Sequence, residues 1–475
     1  MENSTSNIQT PPKFSTKQRI YWGLASFGGS IISGIYASLL PIFLTDYLGM
    51  VEYAELIYIM SIIYAIWNAL NDPLFGIISD RSKLKKGRRI PYMRYTAPFL
   101  AIFFILVWFA PAESGPIAIF WWMLIVTLLY DTAYTIIFLV FSALLPEVTE
   151  NEIERNYLQV FGSFFSLLGM ILGFIIPEIF RHQTDFLPLQ MAMIGVGLVG
   201  MAFIMFTTYK FSERPEFTKI DEPLGFIDSI KYTFRNKSFL TLVSANFMSI
   251  LIQAMLLGSL FYLADYITQS STLILIVFLF LPLILGIWIT PKLSKRFGVV
   301  RADQILLTIA GIGLILLTFM PIIGIYLCLA LAGFGLTGPL VLTTVMWGEV
   351  ADEDELRTGV RREGVFFGMN AFITKPAQSL ALVIPVALLA WANFIPRTGT
   401  QPNLNQPPEV FLAIRLFIGL IPGTALLIEV LILQIYPLRG EYLKEVQEKV
   451  LTVHAEKHSK LEDMEKKRTP DVRQQ

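Results

Sequence analysis

The chain has 475 residues, 54% of them hydrophobic and 16% charged, well below the roughly 25% charged share of soluble domains. Lysine plus arginine equals aspartate plus glutamate at 37 each, so no basic excess points to a nucleic-acid partner. A single cysteine, Cys328, excludes an intrachain disulfide and a thiolate metal cluster, and three scattered histidines (His182, His454, His458) speak against a metal enzyme.

The first dozen residues are polar and contain no signal-peptide core, so insertion falls to the first membrane helix. A helix needs about 20 apolar residues to cross the hydrocarbon core. Such runs occur at 19–46, 53–79, 92–111, 116–145, 158–181 and 187–209, then at 239–266, 271–293, 303–321, 322–349, 365–395 and 409–436. The pattern predicts an all-α membrane protein of twelve transmembrane helices in two pseudo-symmetric six-helix bundles, 19–209 and 239–436. A cytoplasmic tail (1–18), a cytoplasmic central loop (210–238) and a cytoplasmic C-terminal tail (437–475) complete the expected organisation.

The second span carries "WNALNDPLFG", Trp67–Gly76. Asn68, Asn71 and Asp72 fall at i, i+3 and i+4 and share a helix face, extended by Tyr64 and Gly76. An aspartate at mid-membrane costs roughly 2.5–3.5 kcal/mol on insertion scales, which is tolerated where it faces a bundle interior and meets a cation or donor. Three oxygen-bearing side chains within one turn suit a hard cation or a proton. Interhelical hydrogen bonding is the alternative for the two amides. Pro73 frees the Ala69 carbonyl from its helical bond, to serve as a further ligand or to be re-satisfied locally.

The connector after this span, "DRSKLKKGRRIPYMR" (Asp80–Arg94), is strongly basic, and so is "PKLSKRFGVVR" (Pro291–Arg301) after the eighth. The loops on the opposite side hold only Arg181 and Arg397, so both termini are expected in the cytoplasm of a multi-pass plasma-membrane protein. The two basic connectors occupy matching places in the two halves, which hints at an internal repeat. In the fifth span Gly162, Ser166, Gly169 and Gly173 make a small-residue face for close helix approach.

Between the tenth and eleventh spans, Glu349, Asp352 and Glu355 precede Arg361 and Glu363. With Arg155 and Lys295 or Arg296 opposite, they predict a cytoplasmic ion-pair gate, with solvation of a plain connector as the alternative. Exposed pairs are worth about 0–1 kcal/mol each, so such a gate can break in every cycle. Lys375 follows within an apolar stretch, too deep to reach the surface, beside a polar stripe of Asn370, Thr374 and Gln378; Lys375, Asn370 and Thr374 are expected at the substrate cavity, with helix packing as the alternative for the stripe. In the tail, Leu443, Val446, Val450 and Val453 form a short apolar stripe.

Two segments carry a resemblance. "WNALNDPLFGIISDRSKLKKGRRIPY" and "EVADEDELRTGVRREGVFFGMNAFITK" (Glu349–Lys375) are similar to the second-helix and tenth-to-eleventh-helix signatures of the glycoside–pentoside–hexuronide:cation symporters, a melibiose-permease-like family with the major facilitator fold. The resemblance covers about residues 15–440. It implies a cation site at Asn68, Asn71, Asp72 and Thr135, the last within "YDTAYTIIF", with Asp131 one turn before it as a possible contributor. The family's first acid is replaced here by Asn68, which should weaken sodium binding. Lys375 matches a lysine near the central cavity of such carriers. The family's sugar-binding acids, arginine and aromatic fall here on Ser30, Phe138, Ser142 and Ser163, which puts galactoside recognition in doubt. Relatives carry sulfonated sugars, glucuronides and lysophospholipids. A cavity with Lys375, serines and Phe138 suits a solute with an anionic group and an apolar or modestly polar body.

The expectation is a secondary active transporter that couples Na⁺ or H⁺ to symport of a small organic solute, a sugar, glycoside or related anionic or amphiphilic compound. It needs no cofactor beyond the coupling ion, and its partners are that solute and the lipid bilayer, with no obligate protein partner evident. A proton-coupled exporter and a non-transporting membrane sensor are the rivals. No motif supports an intramembrane enzyme.

Overall fold

The computed structural model describes residues 14–80, 89–148, 152–183, 185–212, 234–358 and 363–453. Most of the 210–238 connector, the basic run 81–88, Arg361 and the tail beyond 453 lie outside the described residues. Within them no strand forms, and twelve helices are long and apolar enough to cross a membrane. In a bilayer every backbone polar group must be satisfied within its own segment, which the helix does.

The helices are α1 (Thr16–Tyr47), α2 (Met50–Asp72), α3 (Ile90–Val107), α4 (Pro116–Ser142), α5 (Tyr157–Phe180) and α6 (Leu187–Lys210), then α7 (Lys237–Thr268), α8 (Thr272–Phe297), α9 (Val299–Phe319), α10 (Ile322–Arg357), α11 (Met369–Trp391) and α12 (Pro408–Gln434). Several extend past the apolar core, α2 to Asp80 and α4 to Val148, while α5 starts at Glu152 and α11 at Glu363. The chain enters and leaves on one side, here called the terminal face; the other is the far face.

In the first bundle α1 packs on α5 and α6, α3 on α4 and α6, and α2 on α4. In the second α7 packs on α11 and α12, α9 on α10 and α12, and α8 on α10. Each pairing in one bundle has its counterpart six helices later, so the halves share one internal plan. The bundles meet where α1 touches α7, α2 touches α11, and α5 touches α8. Large apolar side chains such as Trp288 and Ile323 point outward, as the lipid face of a spanning bundle requires.

Local chemistry explains the tightest and the least regular places. A Cβ on Gly169 would lie 2.7 Å from the Phe27 carbonyl oxygen, and one on Gly173 would lie 2.9 Å from the Gly34 carbonyl carbon. The small-residue face of α5 therefore lets its backbone meet that of α1. The helix of α10 breaks at Leu336, because Pro339 has no N–H to offer the Gly335 carbonyl. The two-residue link Met320–Pro321 separates α9 from α10. Both α1 and α7 end in a π-helical turn, Phe43–Tyr47 and Leu263–Thr268, a geometry often found at functional sites. On the terminal face, residues 440–453 are helical and bury Val446 and Val450.

Candidate functional site

The regular helix of α2 carries Asn68, Asn71 and Asp72 into the centre of the molecule, between α4 and α11. Asn68 and Asn71 are buried at 1% and 0% exposure, and Asp131 and Thr135 on α4 are buried beside them. The Lys375 ammonium from α11 lies 2.5 Å from Asp72 Oδ1 and donates at 3.4 Å to Thr135 Oγ1. Asp131 accepts from Asn71 Nδ2 at 2.9 Å and from the Tyr64 hydroxyl at 3.1 Å. Trp67 Nε1 donates to Thr132 Oγ1 at 2.9 Å and pins α2 to α4 one turn away.

Thus all five residues expected at the cation site, and Lys375 with them, come together. The group holds two carboxylates and one ammonium. It is one positive charge short of neutral with both acids ionised. Both polar atoms of Asn68 and the Asn71 carbonyl oxygen are buried without a partner among the described residues. Buried amides are nearly always hydrogen-bonded, so these oxygens leave acceptor capacity for one monovalent cation. No cluster of three or more histidine, cysteine or acidic side chains that could hold a metal ion occurs among the described residues, so any cation bound here relies on mixed oxygen donors.

Beside this group, toward the terminal face, a cavity of about 300 Å³ opens between α1, α4 and α5. One wall is aromatic: Trp22 stacks on Phe141 at 4.4 Å between centroids, and Tyr134 lies 4.5 Å from Phe138. The other wall carries the hydroxyls of Ser26, Ser30, Ser163 and Ser166. Ser30 and Ser166 share a 2.5 Å hydrogen bond, and Ser142, Gln159 and Ser163 are exposed. Among the described residues no charged side chain lines it. Four of the expected cavity residues, Ser30, Phe138, Ser142 and Ser163, therefore share one wall system. Asn370 and Thr374 do not join it: Asn370 accepts from Asn246 Nδ2 of α7 at 2.8 Å, and Thr374 donates to the Asn370 carbonyl.

On the terminal face, Glu349 and Glu355 are buried at the end of α10, and Asp352 is half-buried. Their neighbour Glu353 takes Arg357 at 2.6 Å and the tail's Tyr442 at 2.8 Å. Glu154, next to half-buried Arg155, holds Arg19 at 3.0 Å and the Phe14 backbone N–H at 3.2 Å. Arg361 lies outside the described residues, as does the side chain of Glu363.

The far face is closed by a network that sequence reasoning missed. Arg397, in the loop after α11, binds Asp46 at the end of α1 at 2.5 Å and Asp265 at the end of α7 at 2.9 Å. Arg181, just after α5, binds Asp265 at 2.6 Å and Glu178 at 2.8 Å. Tyr266 donates to Asp46 at 2.6 Å, the Thr45 and Tyr262 hydroxyls bond each other, and Arg397 lies 3.9 Å above the Tyr47 ring. Both guanidinium groups are essentially inaccessible. Burial acts against the charge of each; Tyr47 and Asp46 around Arg397, and Asp265 around Arg181, outweigh it and hold both above the usual arginine range. Burial, then the Arg181 charge, pulls His182 below an ordinary histidine. The signals were present: Arg181 and Arg397 are the only basic residues of the far-side loops, and Asp–Tyr recurs at the ends of α1 and α7.

Comparison with known proteins agrees with this architecture. A family model described as "MFS/sugar transport protein" matches residues 21–440. The chain is similar to an uncharacterized symporter of Synechocystis sp., 24% identical, with 90% of this chain and 94% of that protein covered. It is also similar to the sodium-dependent lysophosphatidylcholine symporter 1 of Gallus gallus, 23% identical over 89% of this chain and 87% of that one. An uncharacterized symporter of Bacillus subtilis, YnaJ, is 26% identical over 90% and 92%. Among solved structures, a crystal structure of the nucleoside transporter NupG superposes at a TM-score of 0.59 with 14% identity, covering 88% of this chain and 98% of that one, a likeness of fold.

Proposed function

The chain belongs to the MFS/sugar transport protein family, and from that premise we propose that it is a cation-coupled symporter working by alternating access. The observation that carries this reading is the central group: Asp72 and Asp131 face a single ammonium, with unpartnered Asn68 and Asn71 oxygens beside them. Lys375 occupies the place of a mobile cation. An entering monovalent cation displaces the ammonium from Asp72 and frees it toward the cavity, where it meets an anionic or hydroxyl-rich solute. The cation thereby binds one state better than the other, which couples the two fluxes. The membrane potential adds about 2.3 kcal/mol per 100 mV for each net positive charge carried inward.

The basic connectors support a cytoplasmic terminal face. In that orientation the far-face network seals the outside while the cavity opens inward. The aromatic and hydroxyl walls suit a solute with one apolar face and several hydroxyls, such as a glycoside or a lipid-like polar compound. A second reading, proton coupling, is favoured by Asn68, since an amide in place of an acid leaves less charge for sodium.

The test is thermal stability of the purified protein in Na⁺, Li⁺, K⁺ and choline at equal ionic strength and two pH values, for wild type and Asp72→Asn. A Na⁺-specific gain lost in the variant is the expected result. A pH response indifferent to the metal would establish the proton reading, and identical behaviour of the two proteins would remove the mechanism.

A further inference from the structure

A second pair of acids lies apart from the central group, inside the C-terminal bundle. Asp303 on α9 is 1% exposed, and neither of its carboxyl oxygens has a partner among the described residues. Glu429 on α12 is 2% exposed; its Oε1 accepts the Ser249 hydroxyl from α7 at 2.7 Å, and its Oε2 has no partner among the described residues. Gln304, next to Asp303, donates to the Val430 carbonyl, next to Glu429, at 3.1 Å, so the two turns face each other. Arg301 on α9 and Lys292, Lys295 and Arg296 at the end of α8, which also packs on α9, are exposed, and none bonds to either acid among the described residues. From α10 the neighbour is backbone: a Cβ on Gly338 would lie 2.5 Å from Asp303 Oδ1.

Burying one unpaired carboxylate is costly, and burying two on facing turns of adjacent helices adds repulsion. Something positive must therefore reside there. A hard metal ion collects several oxygens around itself, and backbone presses on Asp303 where that shell would stand. A proton needs no room.

We propose that Asp303 and Glu429 form a proton-binding site that ties α7 to α9 and α12, separate from the central cation site and independent of the transport reading. The bound proton leaves Glu429 able to keep its bond from Ser249 without like-charge repulsion from Asp303. α7 also carries Asp265 of the far-face network and Asn246 bonded to α11, so this proton steadies a helix that both bundles use.

The test uses full-length protein carrying Asp72→Asn; the second central carboxylate, Asp131, stays in parent and variants alike, so its contribution cancels in the difference. Infrared spectra at neutral pH should contain a protonated carboxylic acid band that loses intensity in Asp303→Asn with Glu429→Gln. The folded protein holds a proton that the unfolded chain releases above about pH 4, so this site contributes stability that declines as pH rises. The parent should lose melting temperature between about pH 5 and about pH 8, and the amide variant should lack that part of the slope. Each single substitution is read for the same band, which guards against failure of the pair to fold. An unchanged band in the variants overturns the proposal. So does a Na⁺-dependent stability gain in the parent that Asp303→Asn removes, because the site would then hold a metal ion.

Discussion

Lys375 and Asp72 are 303 positions apart in the chain, yet their ion pair joins the two bundles where α2 meets α11. Its partners retain only 19% and 15% side-chain exposure, so breaking it leaves charges that water reaches poorly. Lys375→Met should cost on the order of 3 kcal/mol in choline. Na⁺ should restore part of that loss, giving the variant a larger Na⁺-dependent rise in melting temperature than wild type. Equal loss in both salts would mean that the lysine is only a strut. The α2 half of this site was legible, because i, i+3, i+4 spacing places Asn68, Asn71 and Asp72 on one face whatever the helix packs against. The pairing of Asp72 with Lys375 was not, since nothing in either helix states which partner faces it. The stripe at Asn370 and Thr374 left two readings open for the same reason: period alone does not say whether a polar face meets a cavity or packs on another helix, and Asn370 bonds the amide of Asn246.

Helix contacts in this molecule depend on missing side chains as much as on present ones. Gly169→Val would drive a branched side chain into the Phe27 carbonyl and should cost about 1–3 kcal/mol. Gly195→Ala on α6 meets nothing within 4 Å and should be neutral. Comparing the two melting temperatures checks this, and equal shifts would show that α1 and α5 are not closely packed in the membrane. The small-residue spacing of α5 was readable as a packing face, though not as a face for α1. The break in α10 is local chemistry, written in Gly335 and Pro339. The π-turns closing α1 and α7 leave no such mark: they place Asp46 and Asp265 in a network whose other members come from distant loops.

At the scale of the whole molecule, the far-face network links the two halves reciprocally. Arg181 of the first bundle holds Asp265 of the second, and Arg397 of the second holds Asp46 of the first. Removing one partner of a buried pair costs about 3–5 kcal/mol, so Arg181→Gln and Arg397→Gln should each destabilise strongly. Both arginines act on Asp265, so the double variant should lose less than the sum. Strict additivity in unfolding measurements would show two independent pairs rather than one closure. The sequence by itself determined the twelve spans, the division into two bundles and the polar face of α2, because length, hydropathy and helical period are local properties that the bilayer enforces on each segment. Only the tertiary structure decided that Lys375 sits on Asp72, that Asn370 braces α7, and that five charges, Asp46, Glu178, Arg181, Asp265 and Arg397, close one face. Those choices depend on which helix faces which, and a buried charge declares its partner only when the bundles are assembled around it.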